Sequence, residues 1–242
     1  MAHPLDGARL KIVRAQKHLQ SIEEMIGKYK GLDPYVVGVE KKSNEWTGRA
    51  DIILHPDPMI SAVIGDCLHN LSCALDYTIW EVAGTFAGRV LLAPPHGDDR
   101  IYFPIYDKPI GFSHKMKTFQ GRYKIPDAVV SALESVQPYN AGYEPLEFFF
   151  EVVNADKHRL PLITIGDIDA MVTTVIDIPA RPTFDPILLG ELTPNEADVK
   201  TQVTVCVTWK DPFMPPEPVD RTLGDFIKCV AEIIPRFERF VL

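Results

Sequence analysis

The stretch GDCLHNLSCALDY, Gly65 to Tyr77, puts a hard condition on any fold this chain adopts. Its apolar residues recur at the helical period, so it reads as a helix with a buried face. Yet it carries Asp66, His69, Asn70 and Asp76. At about 100° per residue, Asp66, His69, Cys73, Asp76 and Trp80 share one face, with Asn70 and Tyr77 at its edge. Ile64, Leu68, Leu71, Leu75 and Ile79 share the opposite face. A buried polar group left without a partner costs about 1–3 kcal/mol, so this helix needs neighbours for its polar side too. Asp57 can cap its start, Pro58 suits the first helical position, and Gly84 marks its predicted end.

A second polar stripe lies in PLEFFFEVVNADKHRL. Pro145 opens a helix through about His158, which places Glu147, Glu151, Asn154 and His158 at i, i+4, i+7 and i+11. Facing the first stripe, this one brings two histidines and several carboxylates together. Asp66, His69, Glu151 and His158 could then hold a divalent metal. Asp66, His69 and His158 could equally do acid–base work. The plain alternative is that Glu147, Glu151 and Asn154 form a solvated face and His69 is a satisfied structural histidine.

The remaining chain supplies the frame. Ile12, Ala15, Leu19, Ile22, Ile26 and Tyr29 make an amphipathic helix over about 8–30. β-branched runs on either side of KKSNEW predict a β-hairpin within 35–55. Residues 85–124 read mostly as loop, with a turn at PPHGDDR and a short strand at IYFPIY, and Ile125-Pro126-Asp127 opens a helix ending near Gln137-Pro138. Beyond 160 the pattern turns β-like, to about 210, with PARPTFDP and KDPFMPPEP as connectors. A final helix over about 221–240 carries Leu223, Phe226, Ile227, Val230, Ile233, Ile234, Phe237 and Phe240 on one stripe. Pro235 inside it predicts a kink. The fold class is therefore α+β, a helical bundle with an inserted hairpin and a β-rich section closed by the last helix, in one domain of 242 residues.

Composition narrows the function classes. A net charge of −8 disfavours a general nucleic-acid footprint. No run approaches the roughly 18 apolar residues of a membrane span. The four cysteines, Cys67, Cys73, Cys206 and Cys229, form no CxxC pair. They read as reduced thiols of a cytoplasmic protein, with Cys67 and Cys73 as small packing residues. His96-Gly97-Asp98-Asp99 has metal-friendly groups but reads as a turn, His55 as structural, and Ser113 and His114 as loop residues. No Gly-rich phosphate loop, GxSxG elbow, HExxH or dinucleotide fingerprint is present.

GDCLHNLSCALDYTIW resembles the central motif of an uncharacterised bacterial family reading GDxxHNLRSALDHLxW. FPIYD at 103–107, SVQPY at 135–139 and NADKHRLPL at 154–162 extend the likeness over most of 8–165. The Arg-to-His spacing in that motif is similar to the Rx4–6H signature of HEPN-type helical ribonucleases. Here Ser72 and Tyr77 stand at those two positions, so the resemblance implies the scaffold without the nuclease. What remains of the pattern is Asp66, His69, Asn70, Asp76, Asn154, Asp156, Lys157, His158 and Arg159. The expectation is a non-catalytic binding or interaction module, joined by a polar network between the two segments. Its partner would be a protein or small molecule, a homodimer being compatible, and the kinked last helix and strand edges would be contact surfaces. The alternatives are the metal-assisted hydrolase and a HEPN-like RNA-directed toxin or defence protein. Only the hydrolase asks for a metal, and no other cofactor is expected.

Overall fold

A computed structural model describes residues 3–42, 45–88, 101–158, 164–175, 199–209 and 217–241. Helix α1, Asp6–Lys30, buries Ala8, Ile12, Ala15, Ile22, Ile26 and Tyr29, the face its spacing predicts. Strands β1, Tyr35–Lys42, and β2, Glu45–Ile52, pair antiparallel from Tyr35↔Ile52 to Lys42↔Glu45. Helix α2, Met59–Ala87, follows, and the Asp57 Oδ1 atom accepts the Met59 N–H at 2.8 Å. Helix α2 does not stop at Gly84, which is buried inside it, but runs to Gly88 with φ 86. Only a glycine takes that backbone without strain.

Residues 109–123 correct the reading of 85–124 as mostly loop. Helix α3, Pro109–Tyr123, places a proline in its first turn and buries Phe112, Met116 and Tyr123. Ser113 and His114 are exposed on it rather than held in a loop. Helix α4, Asp127–Ser135, and α5, Pro145–His158, begin where Pro126-Asp127 and Pro145 predict. Strands β3, Thr164–Val175, and β4, Val199–Trp209, form a second antiparallel pair with an irregularity between Ile168 and Ala170. Helix α6, Val219–Ile233, changes at Ile234 into a 3-10 segment, Ile234–Phe240. Pro235 lacks an N–H to bond back into the preceding turn, which accounts for the tightening there. PARPTFDP, most of KDPFMPPEP and the His96-Gly97-Asp98-Asp99 turn lie outside the described residues.

The chain is thus mostly helical, with two small antiparallel sheets. One connected apolar core takes residues from every helix and from β4. Helices α1 and α2 share the longest contact, and α2 also meets α3, α5, α6 and the 3-10 segment. Aromatic rings tie the last elements in: Phe226 lies 5.4 Å from Phe149, and Phe237 meets Phe103 edge-on at 5.9 Å. The Arg9 guanidinium bridges Asp6 at 2.7 Å and Glu238 at 2.6 Å. That pair is half-exposed, so its worth is less than about 1 kcal/mol.

Tyr29 helps to anchor the end of the hairpin. Tyr29, buried at the end of α1, donates its hydroxyl to the Leu54 carbonyl at 2.9 Å. A Cβ on Gly166 of β3 would overlap that hydroxyl outright. Helix α1, the end of the hairpin and the second sheet therefore meet at a point where only a glycine fits. No helix among the described residues is long and apolar enough to cross a membrane.

Candidate functional site

The polar residues of α2 divide into two groups with different work. Ile60, Ile64, Leu68, Leu71, Leu75 and Ile79 are buried, as the helical wheel predicts. On the other side Asp66 and His69 are exposed, and Cys73, Asp76 and Trp80 are half-buried. Asn70 is buried and donates its Nδ2–H to the Asp66 carbonyl at 2.7 Å, one turn back. A local bond of this kind pairs a donor of the amide without a second helix.

Asp76 reaches across to the segment before α3. Its Oδ1 accepts the Phe103 N–H at 2.9 Å. Gln137, fully buried, serves the same segment from the other side. Gln137 Oε1 accepts the Tyr106 N–H at 2.9 Å, and its Nε2 donates to the carbonyls of Pro104 at 2.8 Å and Leu133 at 2.9 Å. Residues 101–106, read from the sequence as a short strand, form no strand and pair with none among the described residues, so these side chains stand in for a neighbouring strand. The HNLSCALDY, FPIYD and SVQPY stretches are in this way one piece of framework. Gln137 escaped the sequence reading. Its signal is an amide placed between buried Val136 and Pro138 at a helix end.

The two polar segments are neighbours at one point. The Asp156 carboxylate lies against Gly65, with Oδ1 at 3.0 Å from where a Cβ would be. A side chain at position 65 would crowd that carboxylate. Asn154 and Asp156 are half-buried, while Glu147 and Glu151 face solvent on the outer side of α5. The side chains of Lys157 and His158 and the whole of Arg159 fall outside the described residues. Among the described residues no three His, Cys, Asp or Glu side chains gather closely enough to hold a metal together. Asp66, His69 and Glu151 are each exposed.

One pair on the outward strip is close. The His69 Nε2 and Cys73 Sγ atoms, one turn apart, are separated by 3.5 Å. Cys73 is therefore half-buried beside an imidazole and does not serve as the small packing residue the sequence predicts. Cys67 does, with its thiol donating to the Ala15 carbonyl at 3.5 Å and its pKa pushed up to about 12 by burial. Tyr77 lies exposed with the Lys11 ammonium 5.9 Å from its ring centre. A groove of about 780 Å³ opens between α4 and the 3-10 segment, beside Ser131, Ser135, Arg236 and Arg239, and none of the α2 polar residues lines it.

Fold and site together define a mostly helical α+β protein whose long central helix turns a narrow polar strip outward. The chain matches no family model, no curated protein and no solved structure.

Proposed function

We propose that this chain is a non-catalytic binding module, built as a helical bundle with an inserted hairpin and a β-rich section closed by the last helix. Its recognition surface is the outward strip of α2 at Asp66 and His69, continued by Asn154 and Asp156 of α5; Lys157, His158 and Arg159, next in the sequence, are further candidates for the same partner. The observation that carries the reading is the seat of Asp156 on Gly65, which joins the two polar segments side by side. The inward-reaching polar groups support it too. Asp76, Asn70 and Gln137 hold backbone rather than converge on a cavity. The exposed ones remain for a partner.

A photo-cross-linking residue placed at position 66 tests this in cells expressing the protein. The expected result is a discrete adduct that the same residue at exposed position 24 on α1 does not give. Ala62→Arg, a bulky change one turn away on the same exposed face, should abolish it. Identical adducts at both positions, or an adduct indifferent to Ala62→Arg, would sink the reading.

A further inference from the structure

Two donors on one face of a rigid helix, four residues apart, make a chelating pair when their spacing matches the bite of a metal. Zinc binds imidazole nitrogen at about 2.0–2.1 Å and thiolate sulfur at about 2.3 Å, in tetrahedral geometry. Those lengths and that angle set nitrogen and sulfur about 3.5–3.6 Å apart. His69 Nε2 and Cys73 Sγ stand 3.5 Å apart. That spacing also suits a thiol–imidazole hydrogen bond. We propose that His69 and Cys73 form a two-donor site for a borderline-soft divalent cation of the zinc type.

Access and chemistry agree with this. His69 is exposed and Cys73 half-buried, so both donors lie at the surface rather than in the core. The other three thiols, Cys67, Cys206 and Cys229, are buried, and burial pushes Cys67 and Cys229 up to about 12. A thiolate, which soft cations need, is costly at those buried positions. On binding, the Cys73 thiol gives its proton to solvent, and nitrogen and sulfur replace two of the cation's waters. The remaining positions keep water. Such a site is open, and can accept a donor from a bound molecule. The set differs from the four-residue metal cluster expected of the two facing stripes: it takes His69 from that set and adds Cys73, and its donors share one helix.

Cobalt(II) titration of the whole chain tests the site without any partner, so its outcome is separate from that of the proposed recognition surface. The expected result is a one-to-one thiolate-to-cobalt charge-transfer absorption that zinc displaces. Cys73→Ser should remove the absorption completely. His69→Ala should weaken binding at least about tenfold, the loss expected even from an outer-shell partner of a metal ligand. Zinc should also protect Cys73 from alkylation in the native chain and fail to do so in His69→Ala. No such absorption in the native chain, or one that survives Cys73→Ser, overturns the site. An affinity unchanged in His69→Ala overturns the pairing.

Discussion

Asp76 shows how a carboxylate inside a helix can serve the backbone of another segment. It accepts a backbone N–H from a segment that has no strand neighbour among the described residues, so its removal leaves the Phe103 amide without that acceptor. Asp76→Ala should destabilise the fold by about 1–3 kcal/mol in urea denaturation and speed amide exchange at Phe103. Asp76→Asn keeps an accepting oxygen and should lose clearly less. Equal losses in the two variants would mean that the carboxylate's charge, not this bond, is what matters. The sequence already placed Asp76 on the half-covered face of its helix. It did not name Phe103, because a residue 27 positions away is found by packing and not by periodicity.

At the level of elements, the ends of α1, β2 and β3 meet over a single glycine. The Tyr29 hydroxyl occupies the space a Gly166 side chain would need. Gly166→Ala should cost about 1–3 kcal/mol, the usual penalty of overpacking. Tyr29→Leu shortens the intruding side chain, and together the two changes should cost less than their sum in a double-mutant cycle. Strict additivity would show that the two sites are uncoupled. Element boundaries were largely legible. Helices α1, α2 and α5 follow from apolar spacing and proline, and the irregularity expected at Pro235 takes the form of a change to 3-10 at Ile234. Helix α3 was missed although Phe112, Met116, Phe119 and Tyr123 stand at helical spacing behind Pro109. The polar residues among them, and the Gly-Asp turn before, masked the period.

The whole molecule should respond to alkali through its core. Cys67 sits between α1 and α2, and Cys229 lies on the buried face of α6. Burial raises both thiols from an ordinary 9.0 to about 12, with Glu232 and Glu144 adding to the effect at Cys229. A pKa raised on folding contributes stability that is whole below the unfolded value. It is lost as pH climbs towards the folded one. Unfolding free energy should therefore fall between about pH 9 and pH 12. Burial of Tyr29 and Tyr143 pushes their hydroxyls in the same direction. Cys67→Ala should start lower because of lost packing and then decline less steeply. Parallel profiles for the two proteins would show that Cys67 does not titrate with unfolding.

Helical period, β-branched alternation and proline decided the elements of this protein, because each is a local property of a few neighbouring residues. They also decided which face of α2 is apolar, since Ile64, Leu68, Leu71, Leu75 and Ile79 have one angle in common. Only the tertiary structure decided what the polar face does. Whether a carboxylate caps a distant backbone, as Asp76 does, or looks into solvent, as Asp66 does, depends on which segment arrives beside it. That arrival is set by the whole core closing at once, and no window of sequence contains it.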